Sequence, residues 1–189
     1  MNIDLLLNRA FENINQRYFG RSEREFVAEL YHQLRLTLSK NKKGTIEVTT
    51  ETIKRQAVNY RHSVFNDSWV RQYFFMSRAY IIKGEYYKRV PDLLIHEYNN
   101  RNNQLLAFEV KNANGLSSTE IKIDLSKLIV YCIGNLKYNR GILIVYGQST
   151  KINIKEMPDI KELLEQYPMI EIWVVERRGA LTIINKSSC

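Results

Sequence analysis

The chain has 189 residues, of which 44% are hydrophobic and 25% charged, which is typical of one globular domain with room for a core. No apolar stretch approaches the roughly 18 residues needed to span a bilayer, and charged residues interrupt the N-terminal apolar run, so we expect neither a membrane protein nor a signal peptide. Two cysteines without metal-ligand spacing indicate a reduced, cytoplasmic setting.

Basic residues outnumber acidic residues by 28 to 20, which gives a net charge of +8. Such an excess suits a polyanionic partner, because Lys and Arg that neutralise phosphates release counterions. The same excess can also reflect a Lys-rich composition with no functional meaning. Charge therefore leaves nucleic acid open as a partner.

Helical signals dominate the first forty residues. Apolar residues at helical spacing predict a first helix over residues 3–18. A second helix follows Ser22, because Ser22 and Glu25 form a capping-box pattern ahead of a second apolar stripe. The polar stretch "NKKG" (41–44) is predicted to end it.

Strand signals follow and then alternate with helices. "TIEVTT" (45–50) is typical of a strand, whereas residues 51–87 have no clear pattern, and "SWVRQYFFMSRAY" within them fits either helix or strand. A strand (89–97), a turn at "YNNRNN" (98–103) and a second strand (104–111) follow. The remaining predicted elements are a helix from about residue 122, a buried strand (140–147), a further helix (159–168) and a last strand (169–178).

This order of elements predicts the fold class. A helix, three strands, a helix and a strand, followed by a helix–strand extension over residues 152–177, favour an α/β domain around a central mixed sheet flanked by helices. No linker, low-complexity tract or internal repeat divides the chain. We therefore expect a single domain over residues 1–189.

Three ionisable residues lie beside the apolar strands at 89–97 and 104–111. Alternation places Glu109 and Lys111 on one strand face, and antiparallel pairing would bring Asp92 to the same end of the sheet. Carboxylates on strands about 4.8 Å apart repel each other unless a divalent cation lies between them. Carboxylate oxygens suit Mg²⁺, and a neighbouring lysine can stabilise developing charge, so the pattern favours phosphodiester hydrolysis.

"PD" at 91–92 and "EVK" at 109–111 resemble the PD-(D/E)xK nuclease superfamily, whose restriction-endonuclease-like core has the same element order. "SEREFVAEL" (22–30) is similar to the first helix of archaeal Holliday-junction resolvases and related nucleases. The resemblance covers roughly residues 22–147 and extends to small bacterial families of this superfamily. It implies a Mg²⁺ or Mn²⁺ cofactor and the following site residues: metal ligands Asp92, Glu109 and Val110, catalytic lysine Lys111, and accessory acid Glu23.

Several candidate residues keep a second interpretation. Glu23 also suits the positive end of a helix. Lys127 could reach a phosphate, but it is interpreted as a solvated helix residue. His96 is interpreted as a hydrogen-bonding residue. The aromatic and basic stretch 73–89 could stack on bases or belong to the core.

We expect a Mg²⁺-dependent DNA endonuclease. Two alternatives remain: a nucleic-acid-binding module on the same fold that cleaves nothing, and an interaction protein in which the acidic and lysine residues form only salt bridges. Any sequence specificity would come from residues 51–87 or from a homodimer. Intact Asp92, Glu109 and Lys111 favour the nuclease.

Overall fold

The computed structural model describes residues 3–40, 46–50, 56–59, 61–76, 80–82, 86–89, 91–97, 104–147, 157–176 and 181–184. Within these ranges the helices are α1 (Ile3–Glu12), α2 (Glu23–Lys40), α3 (Ser68–Met76), α4 (Ser118–Ile133) and α5 (Pro158–Gln166). The strands are β1 (Ile46–Thr50), β2 (Gln56–Asn59), β3 (Tyr80–Ile82), β4 (Tyr86–Arg89), β5 (Leu93–Glu97), β6 (Gln104–Asn112), β7 (Arg140–Gly147), β8 (Ile170–Glu176) and β9 (Leu181–Ile184).

A six-stranded mixed sheet forms the centre, in the order β1-β5-β6-β7-β8-β9. β1, β5 and β6 pair antiparallel, β6, β7 and β8 pair parallel, and β9 closes the far edge antiparallel to β8. The prediction of an α/β fold with a central mixed sheet flanked by helices is therefore confirmed.

Both faces of the sheet are covered by helices. β7 shows why, since its apolar run alternates between the two sides: Ile142 and Ile144 pack with α1 and α2, whereas Leu143 and Val145 pack with α3, α4 and α5. A polar side chain within the central strands β6, β7 and β8 consequently lies beneath a helix unless it is at a strand end. No helix among the described residues is long and apolar enough to cross a membrane.

The region that had no clear sequence pattern contains both helix and strand. The aromatic stretch "SWVRQYFFMSRAY", which fitted either a helix or a strand, forms α3 and the first residue of β3. β2, β4 and β3 form a separate three-stranded antiparallel sheet. Phe65 and Phe74 bury their rings edge to face, 5.1 Å apart between centroids, and join α3 to the core on the α4 side.

Two predicted helix boundaries are wrong. The first helix ends at Glu12 instead of residue 18, because Asn13 donates its side-chain amide to the Arg9 carbonyl and Asn15 caps a short 3-10 helix at Gln16–Gly20. The helix expected from about residue 122 begins at Ser118.

The earlier start of α4 has a cause that is visible in the sequence. Ser117 and Glu120 form a reciprocal capping box at its N-terminus. β9 was not anticipated. The turn predicted at "YNNRNN" lies outside the described residues.

Candidate functional site

Asp92 and Glu109 face each other across two central strands. The register pairs Leu93 with Phe108, and the backbone N–H of Asp92 donates to the Phe108 carbonyl at 3.1 Å. Residues directly opposite in an antiparallel pair share a face, so both carboxylates lie on the α4 side of the sheet. Asp92 Oδ2 also accepts the backbone N–H of Val110 at 2.7 Å.

Lys111 lies next along the same face of β6. Its Nζ donates to both carboxylate oxygens of Glu23, each 3.1 Å away, across 88 residues of chain. It is also 3.6 Å from Asp124 Oδ2. The four residues that were predicted to act through their side chains therefore lie together at one end of the sheet: Glu23, Asp92, Glu109 and Lys111.

The position of Glu23 is held by the loop that enters α2. The Tyr146 hydroxyl donates to the Arg21 carbonyl at 3.0 Å, and the Asn112 side-chain amide donates to the same carbonyl at 3.2 Å. The Tyr146 ring stacks on Phe26 of α2, with centroids 3.8 Å apart. β6 and β7 thus fix the N-terminus of α2 beside Lys111.

α4 contributes a second lysine and a further acid. Lys127 Nζ donates to Glu109 Oε2 at 3.1 Å and to Asp124 Oδ1 at 2.6 Å. The Lys127 side chain is only 17% exposed, so its interpretation as a solvated helix residue is wrong.

Asp124 was missed by sequence reasoning, although it left a signal. It lies three residues before Lys127 and four before the buried Leu128, on the inward stripe of α4. A charged residue on an apolar stripe requires a partner or a function.

Burial changes the protonation of both facing carboxyls. The Glu109 side chain is 2% exposed, and its burial, with the repulsion of Asp92 and Asp124, raises its pKa well above the usual range despite the attraction of Lys127. Burial likewise raises the pKa of Asp92 to about 7, against the opposing effects of the Val110 N–H and Lys111. Lys111 shows the reverse balance, since Asp124, Glu23 and Asp92 together outweigh its burial and raise its pKa.

The donor set suits a hard divalent cation. Glu109 Oε1 and Asp124 Oδ2 are buried and accept no hydrogen bond within the described residues. Mg²⁺ and Mn²⁺ take carboxylate, carbonyl and water oxygens, so Asp92, Glu109 and the Val110 carbonyl would be their ligands here. The Val110 side chain is apolar and buried, and it can supply only that backbone oxygen.

The fit rests on two facing carboxylates completed by backbone and water. Across the part of the chain that the structure describes, no group of three or more His, Cys, Asp and Glu side chains is arranged to hold a metal ion. A site of this kind leaves several coordination positions to water, as Mg²⁺ sites commonly do.

The other singled-out residues lie away from this cluster. His96 is buried, with Nδ1 3.2 Å from the Glu97 carbonyl and Nε2 3.6 Å from Glu47 Oε2, which agrees with a hydrogen-bonding role. Phe74 belongs to the core. The side chains of residues 77–90 lie outside the described set, so a base-stacking role for that part of the aromatic stretch stays a prediction.

No protein-family model matches the chain, and neither do curated proteins or solved structures. We therefore infer function from the geometry and charge of the site.

Proposed function

We propose that this protein is a divalent-metal-dependent nuclease with a restriction-endonuclease-like core, and that it hydrolyses phosphodiester bonds in DNA. One observation carries the proposal: Asp92 and Glu109 face each other across adjacent strands, and Glu109 keeps a buried carboxylate oxygen that accepts no hydrogen bond from the residues that the structure describes. Lys127 pairs with the other oxygen of Glu109, and leaving the remaining buried oxygen unsatisfied is costly unless a cation binds it.

The charge of the site supports the same conclusion. Lys127 and Asp124 form one close pair, and Lys111 and Glu23 form another. With all four acids ionised, Asp92 and Glu109 would carry two negative charges beyond those pairs, and a bound cation would favour that state because it lowers the raised pKa of both carboxyls. One divalent cation would neutralise them.

Each residue has a distinct part in the reaction. Asp92, Glu109 and the Val110 carbonyl would hold the cation, which supplies Lewis-acid polarisation of the phosphate and activation of water. Lys111 lies one position beyond Val110 and would stabilise the negative charge that develops on the phosphate oxygens. Glu23 keeps the Lys111 ammonium directed to this end of the sheet.

The reaction adds one water molecule to the substrate. The water oxygen forms a bond to phosphorus, the bond from phosphorus to the leaving sugar oxygen breaks, and that oxygen takes up a proton. The products are a phosphate end and a hydroxyl end. The net charge of +8 supports a polyanionic substrate.

The proposal predicts that the purified protein cleaves plasmid or branched DNA in the presence of Mg²⁺ or Mn²⁺. EDTA should abolish cleavage, and a later excess of Mg²⁺ should restore it, because the cation is needed for every turnover. Gel assays with a time course measure both effects. Intact DNA after prolonged incubation with either cation would contradict the proposal.

The contacts of the two lysines favour a second candidate, a nucleic-acid-binding module that does not cleave. Lys111 and Lys127 both have carboxylate partners in the structure, as in a closed salt-bridge network. A network of this kind needs no cation, and the net positive charge would then serve binding alone.

Salt dependence separates binding of nucleic acid from an interaction with protein. We expect DNA affinity to fall steeply as salt rises, because each neutralised phosphate contributes about 0.9 to the log–log slope on duplex DNA. Fluorescence anisotropy with Ca²⁺ in place of Mg²⁺ measures binding while suppressing cleavage. A slope near zero would show that the positive charge has no role in DNA binding.

A further inference from the structure

We propose that Asp124 and Lys127 of α4 are positioning residues for the cation site: Lys127 holds one oxygen of Glu109 so that the other is left for the cation, and Asp124 neutralises Lys127. The inference rests on the proposed metal-dependent function. It assigns a role to two residues in addition to Asp92, Glu109, Lys111 and Glu23.

The two carboxylate oxygens of Glu109 are held differently. Its Oε2 accepts a hydrogen bond from the Lys127 ammonium at 3.1 Å, whereas its Oε1 is buried and accepts none within the described part of the chain. The carboxylate is therefore fixed at one oxygen and unsatisfied at the other. Carboxylates that bind metals commonly have their remaining oxygen hydrogen-bonded in this way, which orients them before the cation arrives.

Asp124 compensates the positive charge that Lys127 brings to the cation site. An isolated ammonium 3.1 Å from a ligand oxygen would repel a divalent cation and lower its affinity. Asp124 Oδ1 lies 2.6 Å from the same ammonium, closer than Glu109, and both groups are largely buried. The pair can therefore orient Glu109 while adding no net charge to the site.

Asp124 also approaches Lys111. Asp124 Oδ2 accepts no hydrogen bond within the described residues and lies 3.6 Å from Lys111 Nζ. Asp124 thus lies between the two lysines, with one oxygen directed to each. A single residue of α4 couples the placement of Glu109 to that of Lys111.

The test is Mn²⁺ affinity, measured by isothermal titration calorimetry and by the electron paramagnetic resonance signal of free Mn²⁺. The double variant Asp124→Asn/Lys127→Gln removes the ion pair and keeps the net charge. We expect it to bind Mn²⁺ about 10- to 100-fold more weakly than the wild type, as loss of groups that orient metal ligands does. Equal affinity in the double variant and the wild type would overturn the inference.

Two further variants sharpen the result. Lys127→Met makes the site more negative, so simple electrostatics predicts tighter Mn²⁺ binding, whereas loss of positioning predicts weaker binding. Weaker binding is expected, and tighter binding would overturn the inference even if the double variant failed to fold. The matched control is Lys122→Gln/Asp159→Asn, which removes the ion pair between α4 and α5, with atoms 2.5 Å apart; its Mn²⁺ affinity should equal that of the wild type.

Failure of the inference and failure of the proposed function give different results. Wild-type protein that binds no Mn²⁺, or binding that survives Glu109→Gln undiminished, would overturn both. Wild-type binding that Glu109→Gln abolishes and the double variant retains would overturn the role of Asp124 and Lys127 alone.

Discussion

Replacing Asp92, Glu109 or Lys111 by alanine is expected to lower the rate of Mg²⁺-dependent DNA cleavage at least about a hundredfold in each case. Asp92→Ala and Glu109→Ala each remove one of the two facing carboxylates and so weaken the cation site. Lys111→Ala removes the ammonium that would stabilise the developing charge. Single-turnover cleavage of a labelled duplex at saturating Mg²⁺ measures the chemical step directly.

The control for these variants is Lys122 of α4, whose side chain is about as buried as that of Lys111 but pairs outside the site. Lys122 pairs with Asp159 and lies over the Tyr73 ring, so Lys122→Ala should cleave DNA at the wild-type rate. Circular dichroism should show all four variants folded. Undiminished cleavage by Glu109→Ala would disprove the proposed mechanism and would point to a contaminating nuclease.

The common location of Asp92, Glu109 and Lys111 at one end of the sheet could be predicted from the sequence, because it depends only on local strand geometry. A period of two residues places Glu109 and Lys111 on one face, and antiparallel pairing brings Asp92 to the same end. The structure has this pairing. Such features require only that two apolar segments be recognised as neighbouring strands.

The partners from the helices could not be predicted in the same way. Contact between Lys111 and Glu23 depends on how α2 enters the fold, and contact between Lys127 and Glu109 depends on which face α4 turns to the sheet. Both are tertiary contacts between elements distant in the chain. Asp124 lies in the first turn of the helix that was predicted from about residue 122. The helix dipole favours an acid there, so its position alone did not indicate a partner on the sheet.

The separation of residues 51–87 into α3 and a small sheet has a related cause. Aromatic residues suit both a buried helix and a strand, so periodicity could not distinguish them. Packing decides the matter, since Val70 and Phe74, four residues apart, are both fully buried against the core. A strand would place residue 72 on the same face as both, whereas Gln72 is exposed, as helical spacing requires.

The metal-free protein is expected to lose stability as the pH rises from about 4 to 7. Burial raises the pKa of Asp92 from an ordinary value near 3.8 to about 7, so between these values the folded protein keeps a proton that the unfolded chain has released. Stability from this group is therefore fully present below the unfolded pKa and is lost as the pH rises through the folded pKa. Glu109 acts in the same direction, because burial raises its pKa as well.

Urea unfolding in EDTA at several pH values measures this loss, which we expect to be on the order of 2 kcal/mol for Asp92. Asp92→Asn should flatten the dependence because asparagine does not titrate. Glu109→Gln should be at least as stable as the wild type at pH 8, since it removes one of two facing like charges while Lys127 keeps Asp124 as its partner at 2.6 Å.

Millimolar Mg²⁺ or Mn²⁺ should reverse the loss at pH 8 in the wild type and raise its melting temperature, because a ligand that binds only the folded state stabilises it by mass action. The same addition should change Glu109→Gln much less, since one ligand is gone. A closed salt-bridge network predicts the opposite pattern: Glu109→Gln would deprive Lys127 of a partner and lower stability in EDTA, and neither protein would respond to the cation. Melting curves of two proteins in two buffers therefore decide whether Asp92 and Glu109 form a cation site or only an ion-pair network.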